Sequence, residues 1–150
     1  MNRFLFFCLV LLGTSLMAQN ETSNLKWLTN LEAAQKVAKE EGKPILLYFT
    51  GSDWCSPCKK LKTDFFENPL FQERAEKLVL VMIDYPRRMD ILTKDQLAYN
   101  KTIIEKYNTD KSFPKIIVLN HKGKEKGRIS GYSSLRDATP HFAFIDTHLE

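Results

Sequence analysis

Apolar residues along the chain alternate between helical spacing and short continuous runs. Residues 31–38 carry an apolar stripe with helical spacing, and Gly42 follows it as a typical helix end. Thr29 and Glu32 have the three-residue spacing of a capping box, so we expect the first helix to begin directly after Thr29.

Apolar runs bounded by turn residues predict buried strands at residues 45–49, 78–83 and 116–119. A turn at residues 122–123 leads into a further strand at residues 128–130. Helices are expected at residues 57–66, at residues 71–77, from the end of the polar stretch 86–93 to about Tyr107, and from about Ser133 to the end, where Pro140 breaks or delays the last helix. Helices that alternate with buried strands indicate an α/β sheet, here with a hairpin at its far edge.

Composition narrows the possible functions. The 150 residues predict one domain, and 43% hydrophobic with 27% charged residues is an ordinary soluble balance. Lys and Arg total 22 against 18 Asp and Glu, and the resulting formal charge of +4 is too small and too evenly spread to predict nucleic-acid binding. Three cysteines exclude a scaffold built on several disulfides.

The N-terminal residues have the pattern of a secretory signal peptide. Arg3 supplies the positive start, residues 4–12 the apolar core, and residues 13–18 the small-residue exit. This apolar core is shorter than the roughly 20 residues that span a bilayer, which argues against an uncleaved anchor. We therefore expect residues 1–18 to be removed and residues 19–150 to form one domain, periplasmic or secreted, in a compartment where disulfides persist.

Residues 54–58, Trp-Cys-Ser-Pro-Cys, are the most informative segment of the chain. They follow a predicted buried strand and open a predicted helix, so both sulfurs are within disulfide reach and we expect Cys55 to be exposed. Pro57 suits the first helical turn, and the helix N-terminus favours a thiolate at Cys55. Such a thiolate attacks a substrate disulfide, and Cys58 then resolves the mixed disulfide.

Other uses of two cysteines remain open at this point. A zinc site needs a second pair of cysteines or closely spaced histidines, but the histidines are scattered towards the C-terminus, at positions 121, 141 and 148. Haem attachment needs a histidine directly after the second cysteine, and that residue is Lys59. An inert structural disulfide would close so short a loop that it adds little stability, so redox chemistry explains the pair better.

The chain resembles the thioredoxin superfamily in two segments. Residues 54–59, Trp-Cys-Ser-Pro-Cys-Lys, match the active-site motif, and Phe113-Pro114 stands about 55 residues later, just before a predicted strand. Residues 43–55 and 83–88 are similar to exported bacterial members, which are related to the thioredoxin-like domain of membrane thiol:disulfide interchange proteins. The resemblance covers roughly residues 25–149 and implies a thioredoxin fold, in which helices flank a central mixed β-sheet.

The resemblance implies a role for five residues. Cys55 would be the nucleophile and Cys58 the resolving thiol, and together they would form the redox-active disulfide. Trp54 would flank the site, while Phe113 and Pro114, in the family's cis-proline loop, would present backbone to an extended substrate. As alternatives, Trp54 and Phe113 are ordinary packing residues, and Pro114 is a trans proline at the entry to a strand.

Some positions depart from the family pattern. Many thioredoxins bury a carboxylate in the strand before the motif, but Tyr48 and Phe49 occupy the candidate positions here, and Asp53 is expected to be solvated. The threonine often found after the cis-proline is Lys115, whose charge either favours the thiolate, attracts an acidic substrate or faces solvent. The arginine pair at residues 87–88 either faces solvent or contributes to docking.

Residues and resemblance together predict a thiol–disulfide oxidoreductase that exchanges a Cys55–Cys58 dithiol or disulfide with protein substrates, without a bound cofactor or metal. Pro57 beside the second cysteine resembles reducing thioredoxins, which favours a protein-disulfide reductase supplied with electrons by a membrane thiol:disulfide interchange protein. An oxidase or isomerase of secreted proteins is the first alternative, and a thioredoxin-fold module that binds a partner without turnover is the second. The resemblance also implies a monomer.

Overall fold

A five-stranded mixed β-sheet runs through the centre of the molecule. The computed structural model describes residues 25–149, with strands β1 (Trp27–Leu28), β2 (Ile45–Thr50), β3 (Val79–Asp84), β4 (Lys115–Leu119) and β5 (Glu125–Ser130). Their order across the sheet is β1-β3-β2-β4-β5. Strand β3 is parallel to both β1 and β2, whereas β4 is antiparallel to β2 and β5. The carboxyl ends of β2 and β3 and the amino end of β4 therefore share one edge of the sheet.

Helices cover both faces of this sheet. They are α1 (Leu31–Glu41), α2 (Ser56–Leu61), α3 (Pro69–Ala75), α4 (Lys94–Tyr107) and α5 (Thr139–Asp146). Helices α1 and α4 pack on one face, while α2, α3 and α5 pack on the other. The predicted alternation of helices and strands and the predicted edge hairpin, formed by β4 and β5, are confirmed, and the architecture is that of the thioredoxin fold.

Strand β2 is the middle of the hydrophobic core. All six of its residues are buried, as its continuous apolar sequence predicted. Because successive side chains of a strand point to opposite faces, Leu47 and Phe49 join the cluster under α1 and α4, while Leu46 and Tyr48 join the cluster under the other helices. A strand held on both faces and both edges gives the residues that follow it a rigid starting point.

Helix α1 begins one residue later than the capping box predicted. Asn30, and not Thr29, is the N-cap, and its side chain accepts a hydrogen bond from the backbone N–H of Ala33 at 2.7 Å. Asparagine is at least as good an N-cap as threonine, so the neighbouring residue takes the position. The helix ends as predicted at Gly42, whose φ of 67° is the left-handed conformation that glycine adopts readily.

The helix predicted after the cysteine motif is a composite of two geometries. Helix α2 passes directly into a π-helical turn at Lys62–Phe66. Consecutive residues of a regular α-helix point about 100° apart, and the wider turn instead lets Phe65 and Phe66 both enter the core. The ring of Phe66 packs against Trp27 and Tyr48, with centroids 5.1 and 4.5 Å away.

Helix α5 starts at Thr139, which corrects the prediction of a start near residue 133. Arg136 has a φ of 59°, which a right-handed helix does not contain, and Pro140 occupies the first turn. The side chain of Arg136 instead donates from Nε to the Asp64 carboxylate at 2.9 Å. This hydrogen bond is the main reason that the pKa of Asp64 is lowered to about 2.

Strand β1 was not predicted from the sequence. Trp27 and Leu28 pair with Leu80 and Val81 of β3, and two residues are too few for an alternating pattern to be visible.

The predicted signal peptide, residues 1–18, lies outside the described residues. Within residues 25–149, no helix combines the length and apolar character that crossing a membrane requires.

His141, on α5, is a buried histidine among aromatic rings. It is 5% exposed, its Nε2 lies 3.2 Å from the carbonyl oxygen of Gly131, and its Nδ1 is buried without a hydrogen-bond partner in residues 25–149. Burial lowers the pKa of His141 below its usual 6.5, because a charged ring would lose its hydration, and the Gly131 carbonyl compensates only in part.

We expect His141 to make the protein less stable in mild acid. Since its pKa is lower in the folded than in the unfolded chain, the unfolded chain binds more protons as the pH falls below about 6.5, and the free energy of unfolding decreases. His141→Phe removes this contribution while keeping a ring in the core. The variant should therefore lose less stability than the wild type between about pH 7.5 and about pH 5.5, as measured by denaturant unfolding.

His121→Phe is the matched control for the replacement of one imidazole by a phenyl ring, because His121 is exposed on the surface and not buried in the core. Asp64 does not titrate in this range, since its pKa is about 2. Parallel pH profiles for His141→Phe and the wild type would contradict this account of the buried ring.

Candidate functional site

The two cysteines of the motif lie where β2 ends and α2 begins. A disulfide bond joins Cys55 to Cys58, with Cα atoms 5.3 Å apart. Cys55 is the N-cap of α2, and its Sγ accepts a hydrogen bond from the backbone N–H of Cys58 at 3.2 Å. Pro57 is in the first turn, as predicted. A sulfur that faces a backbone N–H at a helix start is placed where a thiolate would be stabilised.

The prediction that Cys55 is exposed is wrong for the oxidised protein. Cys55 is 3% exposed and Cys58 is 2% exposed. The Cys55 sulfur turns back over the helix start, where the disulfide and the Cys58 N–H hold it, instead of pointing outward.

The loop before the cysteines is tied to the segment after β3 by hydrogen bonds. The Trp54 indole N–H donates to the carbonyl of Tyr85 at 2.8 Å, and the Ser52 hydroxyl donates to the Asp84 carboxylate at 2.6 Å. Asp53 accepts from the backbone N–H groups of residues 87–88 at 2.9 to 3.1 Å. Desolvation opposes the charge of Asp53, but these bonds outweigh it and lower its pKa. Asp53 is partly exposed, in line with the expectation that it is solvated, and it also anchors the loop.

Phe113 and Pro114 lie beside Trp54, although they are far from it in sequence. The rings of Trp54 and Phe113 meet edge to face, with centroids 5.5 Å apart, and Tyr85 stacks on the other side of Phe113 at 6.3 Å. The Phe113–Pro114 peptide bond is cis, which agrees with the family's cis-proline loop. Trp54 and Phe113 are both partly exposed, so they form a surface wall as well as packing against each other.

At Phe113 and Pro114, some backbone polar groups are hydrogen-bonded within the protein and others are free. The carbonyl of Pro114 accepts the N–H of Gly131 at 2.8 Å. Within the described part of the chain, the N–H and carbonyl of Phe113 make no hydrogen bond. Both backbone polar groups of Phe113 are therefore free, whereas Pro114 has no N–H and its carbonyl is already bonded.

Lys115 is buried, which excludes the interpretation that it faces solvent. Its side chain is 1% exposed, and its ammonium group pairs with the carboxylate of Asp110, which is 59% exposed. The hydrogen bond from Lys115 is the largest cause of the lowered pKa of Asp110. The buried side chain of Asn108 also bonds to Ser112, accepting at 3.2 Å and donating at 2.9 Å. Together these contacts hold the loop that carries Phe113.

Tyr48, at one of the two candidate positions for the family's buried carboxylate, lies behind the second cysteine. Its hydroxyl donates to the carbonyl of Cys58 at 3.4 Å, and burial raises its pKa to about 12. Tyr48 therefore stays protonated at neutral pH and cannot act as a base for the Cys58 thiol. A cavity of about 370 Å³, lined by Tyr48, Thr50, Cys58 and Met82 among others, is large enough for water to reach this side of the disulfide.

The basic side chains near the cysteine motif make different contacts. Arg88 donates from its guanidinium to Asp90, whereas the Arg87 guanidinium lies over the Trp54 ring, 4.8 Å from its centroid. Lys59 donates to the carbonyl of Asp53 at 3.1 Å. Among residues 25–149, no three His, Cys, Asp or Glu side chains come together as metal ligands would.

Sequence reasoning missed several residues that build the site. Tyr85, Asn108 and Asp110 lie in polar loops, where nothing in a local pattern marks a long-range contact. Gly51 carried a weak signal as a glycine just before the motif. A Cβ at Gly51 would overlap the Trp54 indole, so this close approach requires glycine.

The fold and the cysteine pair define a thioredoxin-fold protein with a Cys-x-x-Cys motif at the start of α2. A family model described as thioredoxin-like matches residues 26–147. The chain belongs to the thioredoxin-like family.

Several known proteins are similar to this chain. Disulfide bond reductase DsbH from Chlamydia pneumoniae is 31% identical over 108 residues, which are 71% of this chain and 63% of that protein. Thioredoxin-related protein DsbJ from Chlamydia pneumoniae is 29% identical over 139 residues, 88% of this chain and 39% of that protein. The solved structure of DsbH oxidoreductase has a TM-score of 0.71 and 26% identity, covering 91% of this chain and 94% of that one. The chain thus spans less than two thirds of the length of either curated relative.

Replacing Lys115 and replacing Asp110, the two partners of the buried ion pair, should change the stability of the protein by different amounts. Lys115→Met replaces a buried charge with an apolar chain of similar length and leaves Asp110 in water, so the free energy of unfolding should change by no more than about 1 kcal/mol. Asp110→Asn instead leaves the buried ammonium without its counter-charge and should destabilise the protein more. Denaturant unfolding of the two variants gives the order.

Thr109 and Asp95 provide a check on this comparison. Asp95→Asn, at an exposed acidic residue of α4, controls for the loss of one carboxylate, and Thr109→Ala controls for a change in the same loop. A larger loss of stability in Lys115→Met than in Asp110→Asn would contradict the view that an uncompensated buried charge is the larger penalty.

Proposed function

We propose that this protein is a thiol–disulfide oxidoreductase of the cell envelope that reduces disulfides in protein substrates. The observation that carries the proposal is the Cys55 sulfur, bonded to Cys58 and facing its N–H at the start of α2. The free backbone of Phe113 beside it offers an extended substrate segment a place to pair.

The reaction follows from this arrangement in two exchange steps. The Cys55 thiolate attacks one sulfur of a substrate disulfide, forms a mixed disulfide and releases the first substrate thiolate, which takes up a proton. Cys58 loses its proton and attacks the Cys55 sulfur, which releases the second substrate thiol and forms the Cys55–Cys58 bond. Two electrons pass from the dithiol to the substrate, and no cofactor takes part.

The buried phenol of Tyr48 constrains the second step. Because its pKa is about 12, Tyr48 does not accept the Cys58 proton near neutral pH. In our proposal that proton leaves through water in the cavity behind Cys58, where Tyr48 orients the Cys58 carbonyl. Trp54 and Phe113 act as walls that guide the substrate towards the Cys55 sulfur.

The direction and the location rest on further observations. Pro57 stands next to the second cysteine, and the similar protein DsbH is named a disulfide bond reductase. We propose that residues 1–18 are a cleaved signal peptide, so that residues 19–150 act in the periplasm or outside the cell as a monomer. A membrane thiol:disulfide interchange protein would return two electrons to the Cys55–Cys58 disulfide after each cycle.

Cys58→Ser should trap substrates on Cys55. Without the resolving thiol the mixed disulfide persists, so we expect adducts that dithiothreitol releases on non-reducing gels. Cys55→Ser is the matched control and should form far fewer adducts, because it lacks the sulfur that faces the Cys58 N–H at the start of α2, where a thiolate is stabilised. Binding to partners that survives in Cys58→Ser without any covalent adduct would point to a binding module instead.

The reduction potential of the pair tests the direction of the reaction. For a reductase we expect a value near about −270 mV, as in thioredoxin, when the protein is equilibrated in graded thiol and disulfide buffers. A value near about −120 mV would identify an oxidase of exported proteins. The absence of a reversible couple would refute the enzymatic proposal altogether.

A further inference from the structure

A cavity of about 450 Å³ opens next to the candidate site, on the side of Trp54 that faces Phe113. Aromatic rings from Trp54, Tyr85 and Phe113 form its walls, and they belong to three separate segments of the chain. Trp54 directly precedes Cys55, and Phe113 directly precedes Pro114. The cavity is therefore lined by the residue before the reacting cysteine and by the residue whose free backbone the proposed reaction uses.

The rim of this cavity carries an excess of positive charge. Arg87, Lys101 and Lys111 line it together with a single carboxylate, that of Glu105. All four residues are exposed, and in residues 25–149 none of the three cations forms an ion pair.

The cations at this rim contrast with those nearby. Arg88 follows Arg87 in sequence but pairs with Asp90, and Lys115 lies close to Lys111 in sequence but pairs with Asp110. Arg87 is the one arginine of residues 25–149 without a carboxylate partner, whereas most lysines there are unpaired, as Lys101 and Lys111 are. What distinguishes the rim is that three unpaired cations surround one cavity, which leaves their charge available to a ligand.

We propose that this cavity binds the substrate segment beside the disulfide and selects segments that carry an acidic side chain. The inference rests on the proposed thiol–disulfide exchange. The aromatic walls contact the aliphatic part of the bound side chain, and its carboxylate meets the three cations. An extended chain advances roughly 3.3 Å per residue, and the Trp54 wall of the cavity is adjacent to Cys55, so we place the acidic residue two or three positions from the reacting cysteine.

The test uses two synthetic peptides that differ only in charge. Each contains one cysteine in a mixed disulfide with the same chromophoric thiol, and either Glu or Lys stands two positions before and two positions after that cysteine. The rate constant for reduction by the reduced protein is divided by the rate constant with dithiothreitol, which corrects for the intrinsic reactivity of each peptide. We expect the corrected rate for the Glu peptide to exceed that for the Lys peptide by roughly fivefold at low salt.

High salt and two charge variants test whether the preference for the Glu peptide comes from the charges at the rim of the cavity. At about 1 M salt the Debye length is only about 3 Å, so the preference should fall towards one. Lys101→Gln should lower the preference roughly twofold, and Glu105→Gln should raise it by a similar factor. These two residues are one turn apart on α4, so a mere disturbance of the helix would not move the ratio in opposite directions.

Lys39→Gln is the matched control for the loss of one positive charge. Lys39 is exposed in the last turn of α1, at the opposite end of the sheet from the cysteines, so its replacement should leave the preference unchanged. Equal corrected rates for the two peptides in the wild type, or a preference for Lys, would overturn the inference while the proposed reductase stands. If neither peptide nor bis(2-hydroxyethyl) disulfide is reduced, the proposed function fails and this inference fails with it.

Discussion

The hydrogen bond from the Trp54 indole to the carbonyl of Tyr85 is the constraint on which the rest of the site depends. With the Asp53 carboxylate on the backbone of residues 87–88, it fixes the loop before the cysteines to the segment that follows β3. Gly51 makes this possible, because any side chain there would occupy the space of the indole. The aromatic wall and the disulfide consequently keep one relative geometry, whichever substrate approaches.

The loop that carries Phe113, on the other side of the site, is held in place by different interactions. Charge and amide contacts hold the loop at residues 108–113, through the pair of Lys115 and Asp110 and through Asn108. Both walls meet at the cysteines because of the sheet topology. Strand β2 lies between β3 and β4, and since β4 runs the other way, its amino end is beside the carboxyl ends of β2 and β3. Two loops from distant parts of the sequence therefore converge on the residues after β2.

Elements whose pattern is local could be predicted from the sequence, and elements set by distant contacts could not. The buried run of β2 and the cysteine motif at a helix start were found, because each has its cause in adjacent residues. The two residues of β1 are a strand only because β3 is beside them, and the π-helical turn at Lys62–Phe66 exists because two rings enter the core. The anchoring hydrogen bonds of Asp53 were missed for the same reason, since its partners lie more than 30 residues away.

Basic residues that look equivalent in the sequence have different environments in the folded protein. Lys115, next to the cis-proline, is neutralised by Asp110 and buried, so it offers no charge to a substrate. Arg87 carries its charge on the surface over the Trp54 ring. Exposed charges act over a Debye length of about 8 Å at physiological salt, so they influence the approach of a partner. The Cys58 N–H instead lies directly beside the Cys55 sulfur, where it would stabilise a thiolate. Because the two effects lie in different residues, the charge of the rim can change between related proteins while the disulfide chemistry stays the same.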